Sequence, residues 1–530
     1  MKREIFTVDN MGNKGINTDV THWSLGPEYI TDGINFRVFA NGIQSYGGYE
    51  EWSTSPEPFN PGYLIHPLTQ TGDYWLVAGR HSVRSFDGGN WTDISSTSGY
   101  PGLSVDDELK WNGCLLGDIV IINNIQAEPE FWGPINPQTA LKPLPFDPES
   151  SWSEKGYSFH TIRSHQNFLF ALNLVEDGLE LTNSYRWSHP ADENGLPFTW
   201  DATDPSSLAG KAQLGGDSGA IIDGLSLRDS FVIYAESGID ILDFTGDEFV
   251  FRRRELSSTV GLISSNSIVE AKGIHFFIAD GDIMRNDGQN IRSILHDRLQ
   301  RAFTARLNAD TYNRSYAVRN TAVNEVWFIV PDDESDYPNL AYIYNYVDDT
   351  WAIRELPYLG NNPDNIEITF ANYGPQSEPT TLWDDWESTW DAQTKPWGSQ
   401  RRTVLDDTIV GCTPDSRLVI IDPSDDNTKP ANTRLERTNF PLSGFEQINT
   451  VTALYPHITG TETVNVSLGS QDFVTGPVRW EIPVAFTPGV DKKVDVRTTG
   501  ALFCWRMEST NVGKWILSGM DIVYSKNGLR

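Results

Sequence analysis

The sequence predicts a mainly-β protein built on a β-propeller, with a strand-bearing segment before it and an antiparallel β region after it. Two observations support this prediction. Helical periodicity is almost absent, and pairs of short strands recur along the chain with Gly, Asp, Asn and Pro at their turns. Another strand precedes each pair, and a fourth often follows. Four antiparallel strands per unit, at intervals of roughly 45 to 50 residues, are typical of propeller blades, which bury both faces by packing around an axis.

Seven candidate units follow one another along the chain. Their central strand pairs begin at Tyr74, Asp118, Asn167, Ser230, Ile274, Glu325 and Asp407. The last unit, "DTIVGCTPDSRLVIID", has the weakest pattern, so the sequence predicts seven blades, or six if this unit is not a blade. The propeller is assigned to residues 53–430, with insertions at 191–217 and 375–402 that we expect to emerge as loops.

The flanking regions have different patterns. Residues 1–52 contain "GINFRVFANGIQSYGGYEEW", which predicts strands in an N-terminal segment. Residues 440–530 alternate between apolar and polar, as in "TVNVSLGS" and "KKVDVRTT", and predict either a small antiparallel β-sandwich or strands that complete the last blade. The one predicted helix, residues 293–308, repeats Leu or Phe every four residues and begins at Ser293, a suitable N-cap.

Composition narrows the classes of function. The chain has 40 Lys and Arg against 72 Asp and Glu, a net charge of −32. Such a surface repels phosphates, which argues against sequence-specific DNA binding but is compatible with DNA sliding past. The three distant cysteines predict reduced, buried thiols. The start "MKREIFTVDN" has no secretory h-region and no apolar run is long enough to span a bilayer, so we expect folding in a cytosol without membrane insertion.

A search for catalytic motifs gives none above background, so the sequence predicts a protein that is not an enzyme and holds no cofactor or metal. His160 and His165 are five residues apart on one predicted strand, which places them on opposite faces and disfavours a shared metal. The stretch "SFDGGNW", residues 85–91, predicts a hairpin turn in which the Asp carboxylate accepts backbone N–H groups and the Trp packs over the turn.

Two clusters are candidate interface residues. In "FRRREL", Arg252, Arg253 and Arg254 stand in an acidic protein, and three explanations remain open: pairing with local carboxylates, an oligomer interface opposite acids, or contact with nucleic acid. The insertion stretch "LWDDWESTWDAQTKPWG" concentrates four indoles, namely Trp383, Trp386, Trp390 and Trp397. Packing against the propeller or a neighbouring subunit is the leading interpretation, followed by partner docking and then sugar binding. Four exposed indoles together would be uncommon.

Several stretches of the chain together carry a resemblance to one protein family. The elements are "DGLSLRDSFVIYAESGI", "VGLISSNSIVEAKGIHFFIADGDI" and "NDGQNIRSI", all within residues 216–294. The N-terminal "DGINFRVFANGIQSYGGYEEW" and the C-terminal "WILSGMDIVYS" extend the likeness to most of the chain. These stretches resemble the tail nozzle or tail hub proteins of short-tailed bacteriophages, a group that includes packaged-DNA stabilisation proteins.

The resemblance implies a virion structural protein that assembles in the host cytoplasm and resides in the tail. Such proteins form a ring, expected here to be a homohexamer, below the portal and adaptor proteins. The ring extends the DNA channel, retains packaged DNA, guides its ejection and offers a docking surface to tail fibres or spikes. No residue-level motif accompanies the resemblance. The alternative that stays open is a tail propeller that binds or cleaves carbohydrate.

Overall fold

The computed structural model describes residues 3–39, 42–67, 73–96, 100, 103–104, 110–133, 139–192, 195–246, 250–333, 335–360, 362–376, 407–423, 429–510 and 512–529. Nearly all regular structure in these residues is antiparallel β-sheet. The N-terminal part contributes a short 3-10 helix at His22–Ser24 and five strands: β1 (Arg3–Asp9), β2 (Asp32–Ile34), β3 (Phe36–Phe39), β4 (Gly42–Ser45) and β5 (Tyr49–Thr54).

Seven four-stranded sheets then succeed one another within the described residues. Blade 1 consists of β6 (Pro61–Ile65), β7 (Trp75–Gly79), β8 (Val83–Phe86) and β9 (Trp91–Asp93). Blade 2 consists of β10 (Asn112–Leu116), β11 (Ile119–Asn123), β12 (Glu130–Trp132) and β13 (Lys142–Pro143), and is followed by a small hairpin, β14 (Pro145–Asp147) and β15 (Ser150–Ser151). Blade 3 consists of β16 (Tyr157–His165), β17 (Phe168–Glu176), β18 (Leu179–Trp187) and β19 (Gly210–Gln213).

The next three blades have the same plan. Blade 4 consists of β20 (Ile221–Leu227), β21 (Ser230–Ala235), β22 (Ile239–Phe244) and β23 (Phe251–Ser257). Blade 5 consists of β24 (Ile268–Ala271), β25 (Ile274–Ala279), β26 (Asp282–Asn286) and β27 (Ile291–Ser293). Blade 6 follows the helix α1 (Gln300–Arg306) and a 3-10 turn at Tyr312–Arg314, and consists of β28 (Tyr316–Asn320), β29 (Glu325–Val330), β30 (Leu340–Asn345) and β31 (Thr350–Glu355).

Blade 7 is completed by the N-terminal part of the chain. Its first three strands are β32 (Phe370–Pro375), β33 (Asp407–Cys412) and β34 (Arg417–Ile421), and its outer strand is β5. The prediction of a β-propeller is confirmed, and the weakest candidate unit is a true blade because the fourth strand that its own segment lacks comes from residues 49–54. The boundary predicted between residues 52 and 53 therefore falls inside β5.

The propeller core lies between neighbouring blades. Buried side chains of β7 in blade 1 pack with those of β11 in blade 2, and buried side chains of β17 in blade 3 pack with those of β21 in blade 4. The ring closes where Val410 and Leu418 of blade 7 contact the cluster that contains Val77 and Phe86 of blade 1. Both faces of the central strands are thus covered, which explains why β7, β8 and β29 are buried along their whole length.

A β-sandwich follows the propeller. Its strands are β35 (Thr433–Phe440), β36 (Gln447–Gly460), β37 (Val464–Gln471), β38 (Arg479–Trp480), β39 (Val484–Phe486), β40 (Val494–Gly500), β41 (Leu502–Ser509) and β42 (Trp515–Leu529). The first sheet has the order β3-β4-β42-β36-β40, with β1 also paired to β42. The second has the order β2-β35-β41-β37-β38, with β39 also paired to β37. The predicted N-terminal segment is therefore part of the sandwich as far as β4, while β5 belongs to blade 7.

The predicted helix at 293–308 is shorter in the structure. Only Gln300–Arg306 is α-helical, although Leu295, Leu299 and Phe303 are all buried as the periodicity requires. Asp297 adopts φ 58°, a left-handed conformation that interrupts a right-handed helix. Ser293 Oγ accepts the backbone N–H of His296 at 3.0 Å, so Ser293 caps the turn before this interruption and not the helix.

The propeller and the sandwich meet at a buried ionic cluster, called here the junction cluster. Arg37 on β3 lies 3.1 Å from the carboxylate of Glu325 on β29 and 3.4 Å from Asp422, which follows β34. Lys514 of the sandwich lies 3.0 Å from Asp422. The indole N–H of Trp327 donates to Glu325 at 2.9 Å. Carboxylates of the propeller thus hold cations of the sandwich in a region from which water is largely excluded.

Two further residues complete the junction cluster. Arg354 of blade 6 donates to the carbonyls of Gly47 and Gly48 at 3.0 and 2.9 Å. The ring of Tyr46 lies between the guanidinium groups of Arg37 and Arg354, with centroid distances of 4.5 and 4.4 Å. Burial, first of all, together with the neighbouring Glu325, raises the pKa of Tyr46 above its ordinary value, so this phenol stays neutral between the two cations.

Candidate functional site

Acidic residues recur in the turns on one face of the propeller. In a four-stranded antiparallel blade, every turn between the second and third strands lies on the same face. Six of the seven such turns carry an acidic residue, and five of those six carry exposed ones. This surface is called here the acidic face, and its exposed acids are Asp177, Glu236, Asp280, Asp333, Asp336 and Asp415.

The junction cluster lies at the opposite end of the blades. Glu325 is the first residue of a second strand, and Asp422 directly follows a third strand. Both positions belong to the end where the first-to-second and third-to-fourth turns lie. The sandwich contacts the propeller at this end, so it leaves the acidic face on the other end uncovered by the junction.

The charge of the chain is divided unequally between the two lobes. Residues 49–428, the propeller with its loops, contain 25 basic and 58 acidic residues, a net charge of −33. Residues 1–48 and 429–530, which build the sandwich, contain 15 basic and 14 acidic residues, a net charge of +1. The whole excess of negative charge therefore belongs to the propeller.

The axis of the propeller holds a cavity of about 340 Å³. It is lined by the first strands of the blades, with Tyr63, Cys114, Arg163, Asn266 and Phe370 among its walls. Burial raises the pKa of the Cys114 thiol to about 12, so the thiol is neutral there. The described lining residues include neither Asp nor Glu.

A buried polar network crosses the axis and ties three blades together. The guanidinium of Arg163 on β16 donates to Asp223 on β20 at 2.7 Å and to the side-chain oxygen of Asn266 at 2.8 Å. It also donates to the carbonyl of Gly113 on β10 at 3.0 Å. The backbone N–H of Asn266 donates to Asp223 at 2.8 Å. Because the charges of Arg163 and Asp223 are paired and hydrogen-bonded, this network fixes the centre of the ring of blades.

The predicted interface arginines lie on β23, the outer strand of blade 4. Arg253 is 2.7 Å from Asp240, and Arg254 is 3.1 Å from Asp243. Arg254 also donates to the carbonyl of Gly288 in blade 5. Arg252 is exposed. Of the three explanations, pairing with local carboxylates describes Arg253 and Arg254, while an interface role remains a prediction for Arg252.

The four predicted interface tryptophans, Trp383, Trp386, Trp390 and Trp397, lie outside the described residues. Elsewhere in the described chain, the indoles are mainly packing groups. The largest fully buried side chains include eight of them, namely Trp75, Trp111, Trp132, Trp152, Trp200, Trp327, Trp351 and Trp515. Packing in the interior therefore accounts for at least eight of the fourteen tryptophans in the described residues.

The hairpin prediction for residues 85–91 agrees with the structure. The carboxylate of Asp87 accepts the backbone N–H groups of Gly89 and Asn90 at 2.9 and 2.6 Å. Trp91 packs on Phe86, with ring centroids 4.8 Å apart. Asp287 makes the same turn in blade 5, and the backbone N–H groups of Asn290 and Gln289 hold its pKa below the usual value. Both turns are structural devices of the hairpins.

Three observations concern ligands and membranes. Within the described part of the chain, no group of three or more His, Cys, Asp or Glu side chains is arranged to hold a metal ion. His160 is exposed, whereas His165 is buried beside Ser226 and Phe231, as their opposite orientation on β16 predicts. The described helices include none that is long and apolar enough to cross a membrane.

No protein-family model and no curated protein sequence matches this chain. Among solved structures, the extracellular domain of a one component system from B. thetaiotaomicron matches with a TM-score of 0.39 and 10% identity. That match covers 86% of this chain, which spans about half, 48%, of the other protein. The Pan2 WD40 domain of Neurospora crassa matches with a TM-score of 0.36 and 7% identity over 72% of this chain and 96% of that domain.

An exo-β-1,3-galactanase from Phanerochaete chrysosporium, solved with a galactotriose, also matches. Its TM-score is 0.28 and its identity 10%, over 90% of this chain and 99% of that enzyme. All three scores lie below 0.5, so these likenesses say nothing about what this chain does.

Sequence reasoning did not find the acidic face, the junction cluster or the axial network. The acidic face had a detectable signal, because acidic turns such as "EDG", "ADGD" and "PDDESD" recur between the paired strands of successive units. The axial network had none, since Arg163, Asp223 and Asn266 are separated by 60 and 43 residues.

Proposed function

We propose that this chain is a structural protein of a phage virion, in which copies form a ring in the tail below the portal and adaptor. The ring extends the DNA channel, retains packaged DNA and guides its ejection. The resemblance of residues 216–294 and of both chain ends to tail nozzle proteins motivates the proposal. The observation that carries it is the acidic face, which places exposed acidic side chains in the turns at one end of the propeller in each subunit.

The acidic face suits a surface past which DNA moves. Acidic side chains repel the phosphates of a duplex, so DNA slides along such a wall without being held. Because the acids of the acidic face lie on turns at the same end of the blades, a ring of subunits can direct them together towards a common lumen. A binding surface for DNA would instead need Lys and Arg to replace the counterions of the duplex.

The path of the DNA in this proposal lies between subunits and not along the propeller axis. Duplex DNA, whose major groove alone is about 12 Å wide, does not fit a cavity of about 340 Å³ that Arg163 and Asn266 line. The proposal therefore requires several copies around one lumen. A single propeller would be the wall of the channel, not the channel.

The test uses assembled particles with charge-reversed subunits. One variant replaces Asp177, Asp280, Asp333 and Asp336 of the acidic face with Lys. The matched control replaces four exposed acids that lie outside the acidic face, Asp118, Asp229, Asp348 and Glu446, with Lys; the first three are in turns at the opposite end of the blades. We expect particles of both variants to assemble, and DNA release after triggering to be slower only in the first, because new cations on the lumen retain the duplex.

Three results would contradict the proposal. The chain could be missing from purified virions by mass spectrometry. Cryo-EM of particles could show it without a ring around the DNA. The acidic-face variant could eject DNA at the rate of the control. Hydrolysis of host polysaccharide by the isolated chain would instead favour the alternative function, a carbohydrate-active tail propeller.

A further inference from the structure

The sandwich carries most of the strongly exposed apolar side chains. Among the described residues, seven large apolar side chains are more than three-fifths exposed to solvent. Two of them lie in the propeller, Leu179 and Phe198. The other five lie in the smaller sandwich and are Ile5, Phe473, Ile482, Val490 and Leu529. Exposed apolar side chains concentrated on one lobe are typical of a surface that another protein covers.

One apolar patch lies on the outer face of the first sheet. The strand registers place Ile5, Val523 and Ala453 side by side on β1, β42 and β36. Tyr455 lies on the same face of β36, two residues from Ala453. The intervening residues Phe6, Ile522 and Leu454 point into the core, which confirms the alternation. This surface, Ile5, Ala453, Tyr455 and Val523, is called here the outer patch.

The rim of the outer patch is polar and carries both signs of charge. Asp495 on β40 stands next to Ala453 in the same register and is paired with Lys493 at 2.6 Å. On the other side, Asp521 accepts from Thr7 at 2.6 Å and lies 3.3 Å from His457. An apolar centre with a balanced polar rim is the usual anatomy of a protein–protein interface.

A second apolar patch lies at an edge of the second sheet. The segment of residues 479–486 forms the outer strands β38 and β39 of the second sheet, and Pro483 interrupts their pairing with β37. Ile482 is 85% exposed at this interruption, and Val490 is 76% exposed in the turn that follows β39. Ile482 and Val490 are called here the edge patch. It belongs to a different sheet from the outer patch.

The partner that fits these patches is a second copy of this chain. Two propellers at −33 each repel one another, and such repulsion opposes close contact between them. The sandwich at +1 carries no such penalty. It is therefore the lobe through which identical subunits can approach. A closed ring further requires two different complementary patches on each subunit, because only head-to-tail contacts propagate around an axis.

We infer that copies of this chain associate sandwich to sandwich, with the outer patch of one subunit packed against the edge patch of the next. This inference rests on the proposed ring and names the surface that builds it. In such a ring the near-neutral sandwiches make the contacts. The acidic propellers stay apart from one another and keep their acidic faces free.

The test introduces one charge into each patch of the full-length chain. Ile5→Lys alters the outer patch, and Ile482→Lys alters the edge patch. The matched control is Leu179→Lys, since Leu179 in the propeller and Ile5 have the same exposure of 67%. Oligomeric state is measured by native mass spectrometry and sedimentation over a range of concentrations. Circular dichroism and thermal unfolding check that each variant keeps the wild-type fold.

We expect the wild type and Leu179→Lys to form the same ring, and each sandwich variant to be monomeric. A mixture of the two sandwich variants gives the sharpest result. Each pair then retains one intact contact, from the outer patch of Ile482→Lys to the edge patch of Ile5→Lys. We therefore expect dimers and no rings in the mixture. Monomers alone in the mixture would overturn the head-to-tail contact.

Other outcomes separate this inference from the proposed function. A monomeric wild type at every concentration, or rings that survive both sandwich substitutions, would overturn the inference. Loss of the ring in Leu179→Lys as well would do the same, because the contact would then include the propeller. The proposed function has its own measurement, the presence of the wild-type chain in purified virions. A chain that forms rings through its sandwich but is missing from virions supports the inference and refutes the function.

Discussion

The propeller and the sandwich are both antiparallel β-sheets, yet their strands differ in pattern and in charge. Strands β7 and β29 of the propeller are buried at every residue. Strand β40 of the sandwich alternates between buried and exposed along most of its length. The reason is packing, because a blade is covered on both faces by its neighbours, whereas a sandwich sheet is covered on one. The pattern of apolar residues along a strand therefore indicates whether one face or both faces of its sheet are covered.

The charge difference follows from the same geometry. In the propeller, both faces of the central strands are buried, so polar residues lie mainly in the turns. Many of those turns carry acidic residues. In the sandwich, exposed residues alternate along the strands and include both signs of charge. The net charge of −32 therefore belongs to the propeller alone, and the two lobes differ in charge as well as in packing.

The largest expected effect concerns the junction cluster, where the two lobes depend on each other. Glu325→Ala removes the carboxylate that holds Arg37 at 3.1 Å and accepts the Trp327 indole at 2.9 Å. It leaves buried donors without their partner. We expect a loss of about 3–5 kcal/mol in the free energy of unfolding, the usual cost of breaking a buried ion pair. Urea denaturation followed by circular dichroism and fluorescence measures it.

The junction cluster should also couple the unfolding of the propeller to the unfolding of the sandwich. We expect the wild type to unfold in one transition and Glu325→Ala to unfold in two, because the sandwich of the variant loses its contact with the propeller. The control is Glu446→Ala, a change at an exposed glutamate of the sandwich, which should alter stability by less than about 0.5 kcal/mol. Equal stability of the two variants would show that the junction cluster does not hold the lobes together.

The sequence predicted the propeller well and the connection between the lobes poorly. Seven first strands, among them "GYLIHPL" and "IEITFANY", were recognisable because each is a short apolar run bounded by turn residues. The origin of β5 was not, because a strand of residues 49–54 pairs with Arg417–Ile421 only through the closure of the ring. Local pattern contains no information about pairing between positions almost 370 residues apart.

The candidate site was also predictable only in part from the sequence. The acids of the acidic face are visible as turn residues, but their common face becomes apparent only when each turn is assigned to a strand order. Arg37, Glu325 and Asp422 of the junction cluster come from three distant segments. Asp297, through its left-handed backbone conformation, precludes a helix before Gln300, although the apolar period begins at Leu295. Tertiary packing, and not the local sequence, settled these features.

The propeller contains a buried histidine that makes its stability depend on pH. His275 on β25 is fully buried between blades 4 and 5. One ring nitrogen lies 2.9 Å from the Tyr234 hydroxyl, and the other donates to the carbonyl of Ser226 at 2.9 Å. Burial lowers the pKa of His275 to about 4 from 6.5, so the neutral form is favoured in the folded state. Between pH 6.5 and 4, the unfolded chain therefore binds the proton and the folded chain does not.

The stability from the neutral His275 is fully present above pH 6.5 and decreases as the pH falls towards 4. The loss reaches up to about 3 kcal/mol below that pH. His275→Gln should be less stable than the wild type at pH 7, and the difference should shrink as the pH approaches 4. Urea titrations of both proteins at several pH values measure it, and carboxylates that titrate in the same range cancel in the comparison. A constant difference would contradict the assignment.

The smallest effects on the free energy of unfolding are expected for the three arginines of β23, which are cations in an acidic lobe. Arg253→Ala leaves the buried carboxylate of Asp240 without its partner at 2.7 Å. We expect a loss of about 1–3 kcal/mol. Arg254→Ala breaks an exposed pair with Asp243 and should cost less than about 1 kcal/mol. Arg252→Ala, at an exposed position, should change stability by less than about 0.5 kcal/mol.

The effect of Arg253→Ala depends on pH, and its sign follows from Asp240. Burial raises the pKa of this carboxyl above its ordinary value, and the Arg253 guanidinium opposes that rise. Without Arg253, the folded state favours the protonated acid more strongly, so the cost of the substitution grows as the pH rises from 4 to 7. Thermal unfolding of the three single variants at pH 4 and at pH 7 measures how much stability each substitution removes. If Arg252→Ala weakens ring assembly while all three variants unfold like the wild type, the arginines serve an interface and not the blade.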